Sequence, residues 1–341
     1  MKKWVYILSS IIVILLIVFL VMLFIAKNRS SDGVIPMIND ESKTEALMLL
    51  IEFEGTEGLV NFVDNIKERD IPALLIVSPD FVIDNCNSIN TILSFHDVEI
   101  AGLDPSKPYW DIPYEEQLSV MQETRDRIKA CTGEDIRVFG SKYFAYDENT
   151  VKAAQELGFE YVLARGTTGA KSTIYKPSEY DVKIFSVSNV DSQSWGTGSL
   201  CDYSYWAREG LPADFEKELI GALKYEKISP VSHTYIGGLK KSWNDVYLKF
   251  FDEADIEWVG LDEFGEIDIE SSFAEIPDNR EVQYETPHPA VPLEEEENVS
   301  NPCSVGDLTP HTTEVGEKKE ISGIVIFHNS VGSMCLEALD F

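Results

Sequence analysis

Apolar runs the length of a β-strand alternate along this chain with segments whose apolar residues recur at the period of a helix. Residues 58–70 are one such segment, in which Leu59, Phe62 and Ile66 share a helical face. Strands are predicted for the eight runs ALMLLIEFE, IPALLIVSP, VEIAGLD, IRVFGSKY, EYVLARG, DVKIFSVSNVD, ISPVSHTY and IEWVGLDEF. Alternating strands and helices favour parallel pairing with right-handed crossovers. The pattern therefore predicts an α/β fold, a closed or nearly closed (β/α) barrel.

The carboxyl ends of the strands are where such barrels carry their chemistry. The side chains predicted there are Glu54, Ser78, Asp104, Tyr143, Arg165, Asp191, His233 and Asp262. His233 is a candidate proton donor because an imidazole titrates near neutral pH, and its alternative role is a hydrogen bond to a loop carbonyl. Glu54 is a candidate metal ligand or base, or else a solvated carboxylate. Asp104, followed by proline, either binds a metal or starts a turn.

The two ends of the chain depart from this alternation. Residues 4–26 contain no charged side chain, and as a helix they would be about 35 Å long, enough to cross a bilayer core of roughly 30 Å. We predict a retained single-pass anchor over residues 1–30 and a linker over 31–44, with the following domain outside the cell membrane. The barrel is predicted over residues 45–270. Residues 271–341 form an acidic, proline-rich extension whose segment EISGIVIF is one strand candidate.

The net charge and the cysteine content limit which partners and which cellular compartment we expect for this protein. The net charge is −31, and the residues after the first thirty carry 24 basic and 59 acidic side chains, a net −35. Such a surface repels nucleic acid and other polyanions, so we expect neither as a partner. The five cysteines include no CxxC pair, which argues against a zinc ribbon or a thioredoxin-type site. An oxidising exterior would permit a disulfide, but spacing does not identify the pair.

Five short segments, in order and at predicted strand ends, resemble the motifs of the polysaccharide deacetylase family, the NodB-like carbohydrate esterases. The resemblance spans about residues 45–268 and implies a distorted barrel that removes acetyl groups from sugars with a divalent metal, usually zinc. Residues 51–55, IEFEG, are similar to the motif T-F-D-D-G. Glu54 then occupies the position of the metal-binding Asp and Phe53 that of the catalytic base. Glu52 is the alternative base, because it is predicted to share a strand face with Glu54.

The second motif is where the chain departs most from the family. Residues 98–107, VEIAGLDPSK, are similar to H-E-I-G-N-H-T-x-S-H, but Leu103 and Lys107 replace the two ligand histidines. A leucine has no lone pair and a lysine ammonium has no acceptor for a cation. The resemblance therefore does not support a zinc cofactor, unless Glu54, Asp104 and His233 form a substitute, oxygen-rich ligand set.

The remaining motifs imply substrate-binding residues and an acid. Residues 139–144 are similar to F-R-P-P-Y-G and keep Tyr143, whereas residues 190–195 are similar to V-D-S-x-D-W and keep Asp191. Residues 231–234 are similar to L-L-H-D, which places His233 at the general acid. Aromatic residues in loop segments, among them Trp195 and Trp206, are expected to stack on sugar faces.

The sequence leaves several interpretations open. The first is a membrane-anchored, extracytoplasmic deacetylase-like protein that acts on or binds acetylated surface glycans, with a degraded metal site. If it is active, it hydrolyses carbon–nitrogen bonds other than peptide bonds, with His233 as acid and Glu54 or Glu52 as base. The second is a non-catalytic glycan-binding or scaffold module. A glycoside hydrolase that uses Glu54 and Glu263 is a third, which depends on the separation of the two carboxylates.

Overall fold

The structure, a computed structural model, describes residues 43–166, 171–190 and 198–277, together with the backbone of 324–328 and 334–338. The predicted anchor, most of the predicted linker, Asp191 and Trp195 lie outside these residues. Within the described ranges, no helix is long and apolar enough to cross a bilayer. The chain divides into two compact units, Met1–Thr286 and Pro287–Phe341.

The first unit is built on two sheets. Its strands are β1 (Thr44–Ala46), β2 (Met48–Glu52), β3 (Ala73–Val77), β4 (Val98–Asp104), β5 (Val138–Ser141), β6 (Tyr161–Arg165), β7 (Thr173–Pro177), β8 (Lys183–Val187), β9 (Lys227–Ile228), β10 (Val231–His233), β11 (Ile256–Trp258) and β12 (Ile269–Ser271). Nine strands form a curled half-barrel in the order β10-β2-β3-β4-β5-β6-β8-β7-β12, and β11-β1-β9 form a smaller sheet. All eight predicted strands are present, so the predicted α/β class is confirmed, but the sheet is an open half-barrel and not the closed or nearly closed barrel that the alternation predicted. Its predicted N-terminal membrane helix falls in the residues that the structure does not describe.

Two strands were not predicted. β7 pairs with β8 in antiparallel fashion, whereas the other pairs of this sheet are parallel. β12 extends the same edge and is largely exposed. β12 is the edge strand and β7 lies beside it, and neither has the continuous apolar run that marks a strand buried on both faces, so the sequence signal for both is weak.

Most of the helices pack on the outer face of the half-barrel, and the last of them places Leu261 and Phe264 inside the curled sheet. The helices are α1 (Thr56–Lys67), α2 (Pro79–Asp84), α3 (Cys86–Phe95), α4 (Tyr114–Thr132), α5 (Glu148–Leu157), α6 (Asp202–Trp206), α7 (Pro212–Ala222), α8 (Thr234–Gly237), α9 (Lys241–Glu253) and α10 (Leu261–Phe264). Local signals set several ends. Gly133 and Gly158, both left-handed with φ near 80°, terminate α4 and α5. Asp147 caps the start of α5 through the backbone N–H of Thr150.

The core has two layers because the central strands are apolar on both faces. In β2, Met48 and Leu50 pack in the cluster that includes residues of the outer helices. Leu49 and Ile51 point the other way, into a second cluster inside the curled sheet. This alternation is why the run reads as continuously hydrophobic rather than as alternating.

A disulfide ties the outer helices together. Cys86 at the start of α3 is bonded to Cys131 near the end of α4, with Cα atoms 5.7 Å apart. The fold thus decides a pairing that spacing left open. Cys201 is free and buried.

The ends of β2 and β10 are held next to each other. The two strands are parallel neighbours in which Ile51 pairs with His233. The helical segments that follow them approach closely at two glycines, because a Cβ atom on Gly238 would lie 1.9 Å from the carbonyl oxygen of Gly58. Larger side chains would force these segments apart, so the glycines fix the positions of both strand ends.

In the second unit, the described residues form an antiparallel hairpin of β13 (Ile324–His328) and β14 (Met334–Ala338). β13 overlaps the one strand predicted for the C-terminal extension.

Candidate functional site

Glu52, at the end of β2, is fully buried and already bonded. Its Oε1 accepts the backbone N–H groups of Phe53 (2.8 Å), Glu54 (2.6 Å) and Gly55 (3.2 Å). Its Oε2 accepts the hydroxyl of Thr234, just beyond β10. The carboxylate therefore shapes the turn into α1 and joins two strand ends. These bonds support a structural role for the residue that the sequence offered as an alternative base.

Glu54 lies two residues after Glu52 and is exposed. It is at the mouth of the half-barrel, by which we mean the space at the carboxyl ends of its strands. Its pKa is raised, first by partial burial and second by the charge of Glu52, while His233 opposes the shift. Its charge in turn acts on Tyr203 and Tyr235. Glu54, His233 and the two tyrosines therefore face one shared space, as expected for a candidate site at these strand ends.

A buried aspartate that the sequence analysis missed is the partner of His233. Asp202 begins α6 and has no solvent exposure. Its Oδ1 accepts the backbone N–H of Tyr203 (2.7 Å), the backbone N–H of His233 (2.9 Å) and contacts the His233 ring Nδ1 (3.3 Å). Its Oδ2 accepts the Ser232 hydroxyl at 2.9 Å. The available signal was a single acidic residue in the otherwise uncharged stretch SLCDYSYW.

The surroundings of His233 hold a proton on its ring. Burial lowers the pKa, but hydrogen bonds with Asp202 and Cys201 outweigh burial and raise the pKa to about 10. An imidazole with this pKa stays charged at neutral pH and releases its proton reluctantly. Efficient general acids have a pKa near the working pH, so this environment is better suited to holding charge than to proton transfer.

The raised pKa of His233 predicts how stability depends on pH. The unfolded state loses the proton near the ordinary pKa of about 6.5, and the folded state keeps it up to about 10. Stabilisation by His233 should therefore be complete below about pH 6.5 and should be lost as the pH rises to about 10. We expect the difference in free energy of unfolding between wild type and His233→Gln, measured by urea denaturation with chelator present, to shrink across this window. A difference that does not change with pH would contradict the prediction.

The positions that correspond to the family's metal ligands do not form a metal site. Leu103 packs in the inner core. Asp104 is buried, and its oxygens accept the Ser106 backbone N–H (2.9 Å) and the Tyr109 hydroxyl (3.0 Å). Lys107 forms an ion pair with Glu116. This donor set does not fit zinc in the arrangement that the family resemblance implies.

The substitute set of Glu54, Asp104 and His233 is not brought together either. Among the described residues, the potential ligand atoms that lie within 4.8 Å of one another belong to Cys201, Asp202 and His233. Asp104 instead organises the turn that begins at Pro105, the alternative role that the sequence had offered.

An arc of aromatic rings surrounds His233. Ring centroids are 4.9 Å apart between His233 and Tyr203, 5.7 Å between His233 and Tyr235, and 5.6 Å between Tyr235 and Phe53. Trp206 extends the arc, with its ring 6.0 Å from that of Tyr203. Phe53 is 37% exposed, so part of its ring is open to solvent at the mouth.

Tyr143 adds a strained residue to the same mouth. It follows β5, is 37% exposed, and has φ of 63°, a left-handed conformation that non-glycine residues rarely adopt. Its hydroxyl acts electrostatically on Tyr203. Strain of this kind concentrates at functional sites. Of the four residues predicted to bind substrate, the structure therefore describes Tyr143 and Trp206, and both contact or approach Tyr203.

Glu263 lies far from this mouth. Its neighbour Asp262 bonds to Arg137 at 2.8 Å, and Arg137 precedes β5 at the amino ends of the strands. Glu54 follows β2 at the carboxyl ends. Two carboxylates at opposite ends of the sheet cannot flank one glycosidic bond.

Comparison with solved structures identifies the class of fold. No profile of a known protein family matches the chain, and no curated protein matches it. A protein of Pseudomonas aeruginosa PAO1 assigned as a polysaccharide deacetylase is similar with a TM-score of 0.52 and 12% identity, over 69% of this chain and 96% of that one. One from Mycobacterium smegmatis, also assigned as a polysaccharide deacetylase, has a TM-score of 0.51 and 11% identity, over 68% and 92%. The chain therefore has the fold of the polysaccharide deacetylases.

A third similar structure is a CE4 family pseudoenzyme from Bacillus anthracis. Its TM-score is 0.44 and its identity 11%, over 68% of each chain. At these identities the similarity concerns the fold, and the chemistry rests on the residues described above.

Proposed function

We propose that this protein binds acetylated surface glycans through the mouth of a deacetylase-type half-barrel, without the family's metal-dependent hydrolysis. The observation that carries the proposal is the arc formed by Phe53, Tyr235, His233, Tyr203 and Trp206 at the carboxyl ends of the strands. Aromatic faces of this kind stack on the apolar faces of sugar rings.

The polar groups of the mouth support a sugar ligand. Glu54 and Tyr143 offer acceptor and donor groups beside the rings, and sugar hydroxyls need both. Leu103 and Lys107 stand where the resemblance implies the two ligand histidines, and Asp104, the possible substitute, already accepts hydrogen bonds from Ser106 and Tyr109, so the ligand set by which the family activates water has no counterpart here. The residues proposed to bind the glycan are therefore different from the residues that bind metal and carry out hydrolysis in the polysaccharide deacetylases.

Two further features support a compartment outside the cytosol. The bond between Cys86 and Cys131 is of a kind that persists in oxidising environments outside the cytosol. The apolar residues 4–26 are long enough to anchor the chain. We propose that the barrel faces the exterior from a single N-terminal span, where surface polysaccharides are available.

Calorimetric titration with an N-acetylated chitooligosaccharide tests the proposal. Phe53→Ala and Trp206→Ala should each weaken binding by about two- to tenfold, because one aromatic stacking contact contributes about 0.5–1.4 kcal/mol. Leu211→Ala is the matched control, since Leu211 is 64% exposed but is not part of the arc. Unchanged affinity in both aromatic variants, or no binding by the wild type to any acetylated polysaccharide tested, would refute the proposal.

Hydrolysis is the second candidate, and one observation favours it. Glu54, whose pKa is raised, and the ring of His233 interact electrostatically at the same mouth, so a carboxylate and an imidazole are both available there, although the raised pKa of His233 disfavours release of its proton. Acetate release by the wild type that is lost in His233→Gln would establish hydrolysis. Binding without acetate release would leave the glycan-binding role alone.

A further inference from the structure

We infer that Cys201, Asp202 and His233 form a binding site for a thiophilic divalent cation of the zinc class. The site goes beyond the proposed glycan binding and does not depend on it. It also differs from the deacetylase metal site, which the resemblance placed on the ends of β2 and β4.

The cluster presents one sulfur, one nitrogen and one oxygen ligand. These atoms lie within 4.8 Å of one another, so a cation between them could contact all three at ordinary zinc distances of about 2.0–2.3 Å after small side-chain movements. Thiolate, imidazole and carboxylate together favour zinc or a similar transition metal over magnesium or calcium, which prefer oxygen ligands alone. Three protein ligands also leave a fourth position open.

The protein holds these three ligands in place before any cation arrives. The backbone N–H of Ser204 donates to the Cys201 sulfur at 3.3 Å. Ser232 and two backbone N–H groups orient the Asp202 carboxylate. Supporting contacts of this kind are typical of metal sites, where neighbours orient the ligands. The cation would replace the contact between the Asp202 carboxylate and the His233 ring, which at 3.3 Å is the longest of the carboxylate's contacts described above. The Cys201 thiol and the protonated His233 ring would each release a proton to water on binding, because metal ligands bind in their deprotonated forms.

The site is closed on its inner side and open toward the mouth. Cys201 is 3% exposed and Asp202 is fully buried, whereas the His233 side chain keeps 12% of its surface exposed. A cation would therefore enter past His233 from the side of Glu54. The acidic chain, with a net charge of −31, raises the local concentration of cations at this entrance.

Cobalt and zinc titrations of the full-length protein in detergent test the inference. The Cys303→Ser/Cys335→Ser background leaves Cys201 as the thiol outside the disulfide of Cys86 and Cys131. We expect one equivalent of Co²⁺ to produce a thiolate-to-cobalt charge-transfer band that one equivalent of Zn²⁺ abolishes. Cys201→Ser should remove the band and weaken zinc binding by roughly 100-fold or more, since even the outer partners of a metal site contribute 10- to 100-fold.

Two controls distinguish the loss of a metal ligand from a loss of the fold and from a change in nearby charge. Serine is nearly isosteric with cysteine and is a favourable residue before a helix, so Cys201→Ser should retain the wild-type circular dichroism and melting curve. Glu54→Gln should change zinc affinity by less than about tenfold, because Glu54 acts on His233 only through its charge. Absence of the band in the background protein would overturn the inference. So would zinc binding that survives Cys201→Ser but is lost in Glu54→Gln.

Discussion

Replacement of Asp202 by alanine is expected to lower the free energy of unfolding by about 4 kcal/mol, within the range measured when one partner of a buried charge pair is removed. The change would leave the protonated ring of His233 without its counterion in a buried position. It would also leave two backbone N–H groups and the Ser232 hydroxyl without their acceptor. Each unsatisfied buried donor adds to the loss. Urea denaturation of the metal-free protein measures the effect.

An exposed aspartate provides the control for Asp202. Asp245 forms an ion pair with Lys241 one helical turn away, and both side chains are more than half exposed. Asp245→Ala should cost at most about 0.5 kcal/mol, because water screens such pairs. Asp202→Asn, which keeps the shape and one acceptor oxygen, should lie between the two. A loss below about 1 kcal/mol for Asp202→Ala would show that the buried pair does not organise this part of the barrel.

Removal of the disulfide is expected to have an effect of similar size. The Cys86–Cys131 bond closes a loop with a sequence separation of 45 residues. The entropy of closing such a loop in the unfolded chain corresponds to about 4 kcal/mol at 25 °C. We therefore expect Cys86→Ser/Cys131→Ser to lose about that much free energy of unfolding.

Reduction of the wild type supplies the check on the disulfide. Dithiothreitol should lower the stability of the wild type to that of the double variant and should leave the variant unchanged. Equal stability of the oxidised wild type and the variant would mean that the bond contributes nothing to the folded state. Since the link joins α3 and α4 on the outer face, glycan affinity at a temperature where both proteins are folded should not change.

The sequence was most informative where a local rule applies. All eight predicted strands formed, because apolar runs of strand length have few alternatives once helices lie between them. Gly133 ends α4 by a local rule of this kind, because glycine adopts the left-handed conformation without steric cost. β7 was missed because its pairing partner, and not its own composition, makes it a strand.

The candidate site also has a part that the sequence predicted and a part that only the structure revealed. The position of His233 at the carboxyl end of a strand followed from the apolar pattern and from the motif at β10, whereas the pairing of that strand with β2 came from the structure. The partners of His233 did not follow, because Asp202 reaches it from a short helix 31 residues earlier in the chain. Glu52 and Glu54 look equivalent in sequence, yet one is buried under four donors and the other is exposed at the mouth.

The sequence by itself thus determined the α/β alternation, the strand ends at which candidate side chains lie, the acidic composition, and the presence of Leu103 and Lys107 where the resemblance implies two ligand histidines. These properties depend on the identity of single residues and on periodicities of a few positions. Only the tertiary structure decided that Cys86 pairs with Cys131, that Asp104 is committed to a turn, and that Cys201, Asp202 and His233 converge. Such contacts depend on how the sheet curls and where each loop crosses it, and packing of the whole core sets both.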